Sequence, residues 1–136
     1  MTATMKLEIV TPEAKTYSEQ VEMVTLPGIE GEMGIYPQHV PLLTQITSGE
    51  IIVRKDGHDY FLAVGEGFVE ITGESVAVMT DMAIAAENID EAQAEEARRR
   101  AEARLAERLS DEDTAKVSAA LANSLAQLKV KRRTRR

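Results

Sequence analysis

Ile51-Ile52-Val53-Arg54-Lys55-Asp56-Gly57-His58-Asp59-Tyr60-Phe61-Leu62-Ala63-Val64 reads as two strands and the turn between them. Residues 51–54 and 59–64 are rich in β-branched and aromatic side chains, and Asp56-Gly57 supplies the positive φ angles that a tight hairpin needs. Upstream, Met5, Leu7 and Ile9 alternate with Lys6, Glu8 and Val10, which gives a period of two and one buried face. Val21 and Met23 repeat the alternation with Gln20 and Glu22. Downstream, Gly65-Glu66-Gly67 and Thr72-Gly73-Glu74 bracket a short strand at 68–71, and residues 75–80 complete a meander. Turn signals at intervals of roughly 8 to 12 residues predict a sandwich or barrel. Gaps this short leave no room for crossover helices, so the strands are expected to be antiparallel. Residues 27–41 hold Gly28, Gly31, Gly34, Pro37 and Pro41. They read as an ordered surface connection and the best binding loop of this half, not as a central strand.

After Ala86 the apolar period changes from 2 to 3.6, and Gly and Pro disappear from the chain. This marks a boundary between a β domain, residues 1–86, and a helical one, residues 87–136. Asn88 with Glu91 three residues on is a capping-box variant, and Glu87, Asp90, Glu91, Glu95 and Glu96 lie where a helix dipole favours acids. A helix is expected from about Ile89 to Leu109, laced by i,i+4 pairs such as Glu95 with Arg99 and Glu96 with Arg100. Ser110 followed by Asp111, Glu112 and Asp113 repeats the start signal, and a second helix follows to roughly Val130. The stripes Ala94, Ala97, Ala101, Leu105 and Val117, Leu121, Ser124, Leu128 are built largely of small residues. Small side chains bury little apolar area, so the hairpin should dock weakly on the sandwich. Opened into a rod at 1.5 Å per residue, residues 87–136 would reach roughly 75 Å. The fold class is therefore α+β in two domains: an antiparallel β-sandwich of about ten short strands followed by an α-helical hairpin.

Composition narrows the chemistry. The chain has 136 residues and no Cys, which removes thiolate nucleophiles, disulfides and sulfur-ligated zinc. Its two His, His39 and His58, have no partner at helical ligand spacing. No Gly-Lys-Ser or Gly-Lys-Thr loop occurs, and Glu30 and Glu32 among the glycines of residues 28–34 would repel a phosphate. The net charge of −7 hides an asymmetry, because residues 1–86 carry 4 Lys and Arg against 13 Asp and Glu, whereas residues 87–136 carry 12 against 10. The last nine residues hold Lys129, Lys131, Arg132, Arg133, Arg135 and Arg136 without an acid, so the end is expected to fray and to seek an acidic partner. Stacking aromatics are missing from that end, which argues for a protein surface over nucleic acid. Neither an export signal nor a membrane-spanning run is read in the sequence.

Gly31-Glu32-Met33-Gly34-Ile35-Tyr36-Pro37-Gln38-His39-Val40-Pro41-Leu42-Leu43 resembles the characteristic loop of the epsilon subunit of F-type ATP synthase. A second match, Ile89-Asp90-Glu91-Ala92-Gln93-Ala94, opens the first helix, and the domain order agrees across essentially the whole chain. The resemblance implies a non-catalytic rotor subunit without a cofactor. Such a subunit joins gamma in the central stalk, sits on the c ring and couples proton or sodium flow to ATP synthesis, peripheral on the cytoplasmic face of a bacterial inner membrane. It implies c-ring contacts at Glu30, Gly31, Glu32 and Met33, and gamma contacts at His39, Val40 and Pro41. It also implies that the hairpin extends into the alpha/beta head to block ATP hydrolysis, with Lys129, Lys131, Arg132 and Arg133 meeting acidic segments there.

Family members that bind ATP on epsilon carry Arg where this chain has Gln93. Losing that guanidinium makes ATP binding weak or absent, with Asp90, Arg98 and Arg99 as the residual nucleotide contacts and Arg100 a further guanidinium nearby. Two other readings compete. One is a small hydrolase using Asp81 and His39, and the other is a free-standing adaptor that binds an acidic protein without a rotary partner.

Overall fold

The computed structural model describes residues 3–134, so the expectations for Arg135 and Arg136 lie outside the described residues. Ten strands are seen among them: β1 (Met5–Val10), β2 (Lys15–Val21), β3 (Met23–Gly28), β4 (Gly31–Ile35), β5 (Leu42–Ile46), β6 (Gly49–Lys55), β7 (His58–Val64), β8 (Gly67–Ile71), β9 (Ser75–Thr80) and β10 (Ala83–Ala85). A 3-10 turn (Ala86–Asn88), α1 (Glu91–Leu105) and α2 (Asp111–Thr134) follow. The strands form one folded-over sheet of two five-stranded halves, β4-β3-β6-β7-β10 and β5-β8-β9-β1-β2. The ladder passes from one half to the other through β3 and β5, where Gly28 pairs with Ile46. Between them lies an aliphatic core that includes Met5, Leu7, Ile9, Val24, Leu26, Ile51, Val53, Leu62, Val69 and Val78.

The 51–64 stretch folds as read. Lys55 pairs with His58 across a two-residue turn, with Asp56 at φ 54° and Gly57 at φ 77°. Both central angles are positive, as turns matching the right-handed twist of a hairpin require.

Three local expectations change. Residues 27–41 contain strand, because β3 runs through Pro27 to Gly28 and a tight hairpin returns as β4. Pro27 is tolerated because it falls between the β6 pairing, which ends at Thr25, and the β5 pairing at Gly28, so its missing N–H removes no bond from either ladder. One pair is parallel: β1 lies beside β9 with Leu7 opposite Val76. The consecutive strands that pair with each other, β1–β2, β3–β4, β6–β7 and β8–β9, do run antiparallel, but folding the sheet over brings together two strands distant in sequence, and connection length does not constrain their direction.

The third change concerns the helix ends. Asp90, not Asn88, caps α1, its Oδ1 accepting from Gln93 N at 3.1 Å. Asn88 is taken up by the 3-10 turn. α1 stops at Leu105, short of Leu109, and Ser110 caps α2 as expected, accepting from Asp113 N at 3.1 Å. α2 continues past Val130 to Thr134, and its basic last turn is tied to neighbouring groups, Lys131 to Ala86 O and Arg133 to Glu50.

Candidate functional site

The sandwich presents two separate exposed surfaces, one at each end of β5. At one end the β3–β4 hairpin projects Ile29, Glu30, Gly31 and Glu32 into solvent. Gly31 sits at φ 129°, a conformation that a side chain would strain. Ile29 N donates to Gln45 O at 3.2 Å and Thr47 N to Pro27 O at 2.8 Å, which fixes the hairpin base to β5. Met33 instead folds back against the main core. Of the expected c-ring residues, three are therefore outward and one inward.

At the other end, about 14 Å away along five strand residues, the β4–β5 connection displays apolar side chains. Val40 is 75% exposed, Leu43 66% and Tyr36 61%, although burial would favour hiding them. His39 is half-buried, and its Nδ1–H donates to Val40 O at 2.6 Å, so the ring braces the loop. Gln38, at φ 67°, donates its N–H to Gly73 O at 2.7 Å and ties the connection to the β8–β9 turn. Val40 and Pro41 are displayed by this bracing.

The hairpin docks on the outer face of β6 and β7. Ile51, Val53, Leu62 and Val64 face the main core, whereas Ala63 packs with Ala86, Ile89, Ala126 and Val130 in a second cluster flanked by Phe61, Met82 and Ile84. Both faces of β7 are covered at its end, which explains the unbroken burial of Leu62-Ala63-Val64. Polar contacts surround this small patch. Ser48 Oγ donates to Asn123 Oδ1 at 3.1 Å, and Lys131 Nζ donates to Ala86 O at 3.2 Å. Arg132 bridges the helices, reaching Glu95 at 2.9 Å and Glu91 at 3.3 Å. Arg133 Nε lies 3.2 Å from Oε2 of Glu50, whose side chain is only 3% exposed, and its guanidinium stands 5.5 Å from the Phe61 ring centre.

Three of the four basic residues expected to meet an acidic partner are thus engaged inside the docked chain, and Lys129 projects outward. Burial pushes the Glu50 carboxyl above the usual range, partly offset by Arg133 and Lys129 and reinforced by Glu32. The residues around Asp90 are likewise engaged. Asp90 caps α1, Arg98 is forked between Glu95 and Glu102, and Arg99, 74% exposed, lies 3.7 Å from Glu95. The paired guanidinium of Arg98 holds the Glu95 carboxyl below its usual range. Among the described residues no three His, Asp or Glu side chains converge as metal ligands, and no helix is long and apolar enough to cross a membrane. Asp81 and His39 lie in different loops and do not form the hydrolase pair considered above.

Sequence reasoning missed Glu50, Ser48, Asn123, Ala126 and Val130. The last two were legible as an i,i+4 pair on α2, but nothing in the strand pattern marks Glu50.

The chain is similar to a chain of the Euglena gracilis mitochondrial ATP synthase (OSCP, F1 and c-ring, rotational state 1), with TM-score 0.76 and 22% identity over 93% of this chain and 80% of the other. It is also similar to a chain of the Tetrahymena thermophila mitochondrial ATP synthase central stalk and c-ring, with TM-score 0.52 and 13% identity over 64% and 70%. At these identities the likeness shows the fold. Family models reach further: the β-sandwich domain of the ATP synthase delta/epsilon chain matches residues 4–86, and its long α-helix domain matches residues 87–132. The chain belongs to the ATP synthase delta/epsilon chain family.

Proposed function

We propose that this chain is a non-catalytic central-stalk subunit of an F-type ATP synthase. In this reading the sandwich joins gamma to the c ring, and the hairpin restrains ATP hydrolysis when it leaves the sandwich. The observation that carries the proposal is the separation of two apolar clusters: the sandwich core is complete without the hairpin, and α2 rests on a second, smaller patch to which it contributes only Ala126 and Val130. A platform that needs no hairpin and an arm with few large anchors suit a rotor subunit with a movable brake.

The exposed tip at Ile29, Glu30, Gly31 and Glu32 is the proposed c-ring contact, and the apolar connection bearing Val40 and Pro41, braced by His39, is the proposed gamma contact. Release of the hairpin from the sandwich frees Lys131 and Arg133, and separation of its two helices frees Arg132, to join Lys129 against acidic segments of the alpha/beta head. ATP binds this chain weakly or not at all, since Gln93 supplies no cation and Asp90, Arg98 and Arg99 are occupied locally. The complex resides peripherally on the cytoplasmic face of a bacterial inner membrane.

Deleting residues 87–136 tests the reading. Assembly with gamma and the c ring should persist while ATP hydrolysis by the complex rises. Failure to co-purify with either rotor partner would instead favour the adaptor reading.

A further inference from the structure

Among the described residues Glu50 is the one acid that the fold buries, and it lies on the outer face of β6, directly across from Ala63 of the docking patch. Its Oε2 is inaccessible and accepts no hydrogen bond, although Arg133 Nε stands 3.2 Å away. A carboxylate so placed keeps an attractive charge beside it yet loses the water that would solvate it, and desolvation of this kind outweighs imperfect pairing. The charged groups bearing on it are Arg133 and Lys129 from α2 and Glu32 from β4.

We propose that the protonation of Glu50 sets how tightly α2 docks: acidification fastens the hairpin to the sandwich, and rising pH loosens it. This adds regulation to the hairpin movement proposed above, but its readout lies in the isolated full-length chain, so it stands or falls apart from any effect on ATP hydrolysis.

The direction follows from linkage. In the docked state burial raises the Glu50 pKa despite Arg133 and Lys129, with Glu32 raising it further. When α2 leaves, water reaches the carboxyl and both cations depart, so it returns toward the ordinary glutamate value of about 4.3. The docked state therefore binds the proton more tightly. Docking is strongest below the open-state pKa and weakens as pH rises through the docked-state value, after which it levels off. One linked proton changes the opening constant by at most about tenfold per pH unit. The helix-bridging carboxyl of Glu95 acts in the opposite sense, since its pKa is lowered by Arg98 and Arg132 and its contribution is lost only as pH falls through that depressed value.

The test is amide hydrogen exchange of α2 residues 123–131 in the full chain and in Glu50→Gln, from about pH 5 to pH 8. The α2 sequence is the same in both, so the intrinsic chemistry of exchange cancels in their ratio. The wild-type rate should gain on the variant as pH rises, by up to about tenfold per unit, and then level. Amides of the β1–β9 pairing should keep a ratio of one. Arg133→Ala, which removes the counter-charge, should move the levelling to higher pH. A wild-type to Glu50→Gln ratio that is flat or falling across this range overturns the proposal.

Discussion

Val130→Ala isolates the docking of the hairpin from the stability of the sandwich. Val130 is fully buried among Ala63, Ala86, Ile89 and Ala126 and takes no part in the main core. Truncation removes two carbons, worth about 0.8 kcal/mol each, and leaves a cavity that adds to the loss, so docking should weaken by about 2 kcal/mol. At 1.4 kcal/mol per decade that is roughly a 30-fold rise in the opening constant. Ala is the better helix former, but this gain applies to α2 docked and released alike and cancels from the docking equilibrium. Hydrogen exchange reads both bodies at once. Amides of the α2 half that packs on β7 should lose about ten- to 30-fold in protection, the smaller loss where exchange also needs the released helix to open and Ala holds that helix more firmly, while the β1, β8 and β9 amides keep theirs. If the sandwich amides lose protection in parallel, hairpin and sandwich unfold as one unit, and the reasoning that separates platform from arm is wrong.

Gly67→Ala should disrupt the sandwich itself, because a Cβ at this position would lie 1.9 Å from Met79 O and the β8–β9 ladder would have to part; a thermal midpoint near that of the parent chain would refute this. Asp90→Ala should cost about 1 kcal/mol by leaving the Gln93 N–H uncapped, with the loss confined to α1 in exchange measurements. Isothermal titration of the isolated chain with ATP should show weak binding or none, and micromolar affinity would mean that Gln93 is compensated by neighbouring arginines.

The hairpin at residues 51–64 was legible because its turn chemistry and alternation agree, and the helical half because Gly and Pro vanish where the period changes. The parallel β1–β9 pair was not, since it arises from closure of the whole sheet, which no local spacing encodes. Pro27 misled for a related reason: its tolerance depends on where β6 stops pairing and β5 begins. The exposed tip at Glu30 and Glu32 and the basic end of α2 were visible as charge and turn patterns. What those basic groups touch was not, because Arg133 meets Glu50 from a residue 83 positions away in the numbering. The unbroken Leu62-Ala63-Val64 run held the unread clue, for a strand apolar on both faces needs a second covering layer, which α2 supplies.

The central claim, that the hairpin must leave the sandwich to act as a brake, is tested most directly by locking it in place. The chain has no Cys, so Ala63→Cys with Ala126→Cys, two positions in the docking cluster, introduces a single disulfide. In the assembled complex, ATP hydrolysis with the hairpin locked should match that of the complex lacking residues 87–136, and should fall when a reductant frees it. Equal hydrolysis rates before and after reduction, in a complex whose disulfide is shown to form and break, would contradict the claim.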